Sequence, residues 1–119
     1  VDDDALVLDT LVLVLRRAGH DAVPFADPRA ALGAMEAGVA CDLLLTDVLM
    51  PGLTGSELAA LVLAMRPGLP ILFVSGFLRD VDAAALPGVL LPKPFGTDDV
   101  IAAIEAAMQR AARDSAAAL

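Results

Sequence analysis

The strongest constraint on this chain is the alternation of short apolar runs with helix-patterned segments. Asp42 to Thr46, Ile71 to Val74 and Val89 to Leu91 are Leu-, Ile- and Val-rich stretches, each closed by a polar residue or a turn. Runs this short read as strands buried on both faces. A further strand is expected at about Asp21 to Phe25. The first helix is expected after Asp4, carrying Leu6, Val7, Leu11, Val14 and Leu15 and stopping at Ala18-Gly19. Asp27-Pro28 opens a second helix that ends at Gly38. Ser56 is expected to cap a third, running through Met65. A weak helix is expected at about Arg79 to Leu86, stopped by Pro87-Gly88. Thr97 is expected to cap the last, over about 97–118, with Ile101, Ile104, Met108 and Ala111 on one face. Strands alternating with helices imply a parallel sheet wrapped by helices. With 119 residues there is room for one domain, 1–119. Only Val1 precedes the first acids, so the first strand is truncated at the N-terminus, and the chain is expected to be a fragment.

Charge and composition then exclude whole classes of function. The net charge of −8 repels a phosphate backbone, and 3% aromatic residues leave little to stack on bases, so no direct nucleic-acid binding is expected. The longest apolar run, Leu58 to Met65, falls well short of the roughly 20 residues that span a bilayer, so no membrane insertion is expected. The single cysteine, Cys41, excludes an internal disulfide and a cysteine-rich zinc site. The N-terminus is acidic rather than basic, unlike a secretory leader, and a cytoplasmic location is expected.

In an open parallel sheet, ligands bind beyond the carboxyl ends of the strands. The first strand ends in Asp2-Asp3-Asp4, the third at Asp47, the fourth at Ser75 and the fifth at Lys93. Asp4 is the natural helix cap, since carboxylates favour helix N-termini. The remaining carboxylates repel unless a cation neutralises them. An all-oxygen set without Cys or His suits Mg²⁺. Lys93 is the only lysine, held between Pro92 and Pro94 in a chain whose other basic side chains are mostly arginine. A compact ammonium fits a crowded phosphate site better than a planar guanidinium. Metal, ammonium and hydroxyl together stabilise a phosphoryl group in transfer. His20 and Cys41 have no place in this chemistry.

Four motifs occur in order over essentially the whole chain: Val1-Asp2-Asp3-Asp4; Leu45-Thr46-Asp47-Val48-Leu49-Met50-Pro51-Gly52-Leu53-Thr54-Gly55; Phe73-Val74-Ser75-Gly76; and Leu91-Pro92-Lys93-Pro94-Phe95. Together they resemble the receiver domain of two-component response regulators. The resemblance implies an α/β, flavodoxin-like, doubly wound five-stranded parallel sheet of order 2-1-3-4-5, flanked by helices. It implies that Asp47 accepts a phosphoryl group from a histidine kinase or a histidine phosphotransfer protein. It implies that Asp3 and Asp47 ligate Mg²⁺, that Asp2 helps through water, and that the Leu49 carbonyl is a further ligand. Ser75 and Lys93 would contact the phosphoryl oxygens. The implied role is a signalling switch in a phosphorelay rather than a metabolic enzyme, and a homodimer is left open. Leu90 stands where the family often has a switching Tyr or Phe. Val74-Ser75-Gly76-Phe77 is similar to receivers appended to hybrid sensor kinases.

Two other readings bear on the same residues. An aspartate-nucleophile phosphatase of the haloacid dehalogenase type would carry a second acid two residues after Asp47, where this chain has Leu49. A pseudo-receiver that only binds proteins would not need Asp3, Asp47, Ser75 and Lys93 together. Leu49 and Phe77, both apolar, are expected to flank the approach of hydrolytic water and to slow loss of the phosphoryl group.

Overall fold

The computed structural model describes residues 1–76 and 82–117, and for 116 and 117 the backbone only. Asp4 starts the first helix, α1 (Ala5–Arg17): its carboxylate accepts the N–H groups of Leu6 and Val7. Arg16 and Arg17 sit in the last turn, where the helix dipole favours cations. The second helix, α2 (Pro28–Glu36), is capped by Asp27, with proline at the first turn, where a missing N–H costs nothing. Three parallel strands follow, β1 (Leu44–Asp47), β2 (Ile71–Ser75) and β3 (Val89–Pro92), in the order β1-β2-β3. Leu44 pairs with Ile71 and Leu72 with Val89. The helix α3 (Gly55–Met65) joins β1 to β2, and α4 (Thr97–Ala117) follows β3.

Side-chain alternation along the strands divides the core into two. Leu44, Ile71 and Phe73 pack with Leu58, Ala59 and Val62 of α3 and Met35 of α2. Leu45, Leu72, Val74 and Leu91 pack on the other face, with Leu11 of α1 and Val100, Ala103, Ile104 and Ala107 of α4. Both faces are covered, which is why the strands are continuous apolar runs. The central strand β2 is buried throughout. A side chain the size of Phe73, fully removed from water here, stabilises by about 1.5–3 kcal/mol.

Of the five expected strands, three form among the described residues. Neither residues 21–25 nor residues 1–4 form a strand. The Val1 nitrogen donates to the Leu45 carbonyl (2.6 Å), and the Val1 carbonyl accepts from Asp47 (2.9 Å). On the other side, the Asp2 N–H donates to the Phe25 carbonyl (3.2 Å). These are the bonds of a strand lying between 21–25 and β1, but one residue cannot make a ladder. Behind them lies a cavity of about 530 Å³ lined by Leu8, Leu11, Leu15, Val23, Phe25 and Leu43.

Three details differ from the sequence expectation. Thr54, not Ser56, caps α3, in a reciprocal capping box with Glu57. Thr97 is the first residue of α4, and its buried stripe is Val100, Ala103, Ile104 and Ala107, leaving Ile101 and Met108 exposed. The expected helix over 79–86 is a 3₁₀ turn at Ala83–Ala85; residues 79–81 lie outside the described residues. No helix among the described residues is long and apolar enough to cross a membrane.

Candidate functional site

The carboxyl ends of the three strands converge with the turn before α1. Asp47 ends β1 and Ser75 ends β2, while Lys93 follows directly on Pro92 of β3. Asp2 and Asp3 precede Asp4, the cap of α1. Carboxylate oxygens of Asp2, Asp3 and Asp47 lie within 4.8 Å of one another. The Lys93 Nζ is 3.5 Å from Asp2 Oδ2 and 3.6 Å from Asp47 Oδ2. Asp2 and Asp47 therefore share one ammonium, with the Asp3 carboxylate beside them.

Each acid is placed by backbone chemistry. Asp2 is fully buried; its Oδ1 accepts from the Asp4 N–H (2.9 Å), which turns the chain into α1. Asp47 keeps 13% of its side chain exposed, and its Oδ1 accepts from the Val48 N–H (2.8 Å). The Lys93 N–H donates to the Ser75 carbonyl (2.8 Å), so β3 is tied to β2 where its ammonium leaves for the acids. Ser75 is buried beside them. Leu49 is 45% exposed, while its backbone N–H faces the Asp47 carboxylate. Phe77 lies outside the described residues.

Sequence reasoning missed one positioning residue. The loop after Asp47 folds back so that Gly55 N–H donates to the Val48 carbonyl (2.8 Å). A Cβ on Gly55 would collide with the Asp47 carbonyl oxygen, so only glycine lets α3 start against the backbone of Asp47. The signal was a glycine directly after the capping Thr54, at the first position of α3.

Burial is the main force on the Asp47 proton, raising its pKa above 3.8, and the negative charge of Asp2 adds to it. The Lys93 ammonium and the Val48 and Leu49 N–H groups pull the other way. A second cation would relieve this repulsion. The donors are all hard oxygens, and the Lys93 contacts are long enough that the acids are not sealed in a tight ion pair; the residues fit Mg²⁺.

Residues 1–105 match the profile of the response regulator receiver domain. The chain belongs to that family. This receiver domain is 37% identical over 115 residues to the transcriptional regulatory protein FixJ of Bradyrhizobium diazoefficiens, covering 93% of this chain and 56% of that one. It is 34% identical over 113 residues to the DNA-binding transcriptional regulator NtrC of Salmonella typhimurium, covering 91% of this chain and 24% of that one. Full-length FixJ from B. japonicum superposes with a TM-score of 0.79 at 38% identity, covering 92% of this chain and 56% of that chain. A response regulator receiver protein from Sinorhizobium medicae gives 0.79 at 23% identity, covering 92% and 91%, and shows the same fold. The receiver domain thus spans little more than half the length of FixJ and about a quarter of NtrC. Its fold is the flavodoxin-like α/β arrangement of a parallel sheet with helices, and its place is in two-component signalling.

Proposed function

We propose that this receiver domain is a phosphoacceptor switch, modified on Asp47 by a phosphohistidine donor, either a histidine kinase or a histidine phosphotransfer protein. The observation that supports it best is the group of Asp2, Asp3 and Asp47 carboxylates facing the Lys93 ammonium across the strand ends. An Asp47 carboxylate oxygen attacks phosphorus, and the phosphorus–nitrogen bond of the donor breaks as its imidazole leaves. The Lys93 ammonium and the Ser75 hydroxyl stabilise charge on the phosphoryl oxygens. Asp3, Asp47 and the Leu49 carbonyl, with Asp2 helping through water, would hold Mg²⁺, which would add neutralisation of that charge. Water later attacks phosphorus, breaking its bond to the Asp47 oxygen and releasing inorganic phosphate. The domain is a switch that turns over its own acylphosphate, not a metabolic enzyme, and it works in the cytoplasm. Its β1, β2 and β3 are read as positions three to five of a sheet ordered 2-1-3-4-5.

The test uses acetyl phosphate as donor, with and without Mg²⁺. Intact-mass measurement is expected to show one added phosphoryl group, dependent on Mg²⁺ and absent in Asp47→Asn. Equal labelling of that variant would remove Asp47 from its role.

A further inference from the structure

Far from the acids, at the start of β3, an arginine bridges two elements that share no other side-chain hydrogen bond among the described residues. Arg110 of α4 donates from Nη1 to the Gly88 carbonyl and from Nη2 to the Leu86 carbonyl, the latter at 2.9 Å. Its Nε faces Asp114, one turn on, at 3.7 Å. The two carbonyls are held firmly. Leu86 is buried in the α2–α3 side of the core. Gly88 is packed so closely on Ile71 of β2 that a Cβ would collide with the Ile71 carbonyl. Next to the guanidinium, a cavity of about 190 Å³ opens between Leu63, Leu69, Pro87, Ala111 and Asp114. The buried stripe of α4 ends at Ala107. Beyond it Ala111 is half-buried and Ser115 lies against Gly68, and the fork adds two hydrogen bonds to this lighter packing.

The fork and the phosphoacceptor site sit at opposite ends of one short strand. Val89 begins β3 directly after Gly88, and Lys93 follows its last residue. We infer that Arg110 is a positioning residue that latches α4 to the start of β3, so that a displacement of Lys93 at the other end of the strand is passed to the C-terminal half of α4. The inference rests on the phosphoacceptor reading, because phosphorylation of Asp47 is what would draw on Lys93. A planar fork donating to two carbonyls fixes direction as well as distance, which a single ammonium cannot do. Leu90, in the middle of β3, packs on the α3 side of the sheet, and Leu91 meets the α4 stripe that ends at Ala107, so the fork is the strand's hydrogen-bonded link to the helix beyond that stripe.

The test is hydrogen exchange of the α4 amides beyond Ala107, with Mg²⁺, before and after acetyl phosphate, with phosphoryl content followed by intact mass. In the unaltered chain, phosphorylation is expected to change exchange there. In Arg110→Met, which keeps the apolar stem, that change is expected to fall about fivefold or more at equal phosphoryl content. Arg110→Lys is expected to restore part of it, which a general weakening of the helix would not predict. Should Arg110→Met not fold, Arg110→Lys decides alone, with the response at least halved. A full response in the variant that folds, or a phosphorylated parent with unchanged α4, would overturn the latch alone. A parent that takes no phosphoryl group would overturn the phosphoacceptor reading and the latch with it.

Discussion

Asp47 is asked to carry a negative charge where burial and Asp2 both oppose it. The folded chain therefore holds a proton on Asp47 more readily than the unfolded chain does. Because its pKa is raised on folding, stability falls as pH climbs from the ordinary carboxylate value through the raised one, and stays lower above it. Asp47→Asn removes that penalty while leaving Asp2 to partner Lys93. In buffer free of divalent ions the variant is expected to melt a few degrees higher than the parent at pH 7. The advantage should shrink as the pH drops and vanish below the ordinary value of 3.8. Thermal unfolding across that range checks it; a variant less stable at neutral pH would mean that Asp47 is a structural partner of Lys93. The same repulsion is what a bound cation would relieve, so charge strain and metal affinity have one source.

At the scale of elements, the start of α3 determines how the loop after Asp47 sits. Thr54 and Glu57 cap each other's backbone, and Gly55 lies against the Asp47 carbonyl. Thr54→Ala is expected to cost about 1 kcal/mol in urea unfolding, the usual value of a lost cap, and Ser56→Ala nearly nothing. The reverse order would restore Ser56 as the cap. The spacing of Thr54 and Glu57 was legible in the sequence as a capping box, but the more obvious Ser56 stood closer to the apolar run. Asp27 was legible as a cap because no rival residue adjoins it, and Asp4 because it is the last of three acids before the apolar run. The strands β1, β2 and β3 were legible because both of their faces are buried, which leaves an unbroken apolar run. Residues 21–25 carry a strand-like composition, yet a strand needs a neighbour, and only Phe25 finds one in Asp2. Of the expected apolar face of α4, Ile104 is buried, but the large Ile101 and Met108 are exposed and small Ala103 and Ala107 are what fit against the sheet.

For the molecule as a whole, the site was legible because the fold brings strand ends together, whatever their distance in sequence. Asp2 and Lys93 are 91 residues apart and meet only through the parallel order of the sheet. What sequence could not supply was the close approach of Gly55 or the fork of Arg110, since both depend on the distance between packed elements. The net charge of −8 governs behaviour at long range. Although NtrC is a DNA-binding regulator by name, this 119-residue chain is expected to show no retardation of duplex DNA even at low salt. A salt-sensitive shift in gel mobility would contradict that. The central claim is chemical, that one carboxylate among the three becomes the acylphosphate, and it is tested most directly by locating the bond. The chain is treated with acetyl phosphate and Mg²⁺, the acylphosphate is reduced with borohydride to the corresponding alcohol, and the digested peptides are sequenced by mass spectrometry. The account predicts homoserine in place of aspartate at Asp47 alone; homoserine at Asp2 or Asp3, or at none of the three, would contradict it.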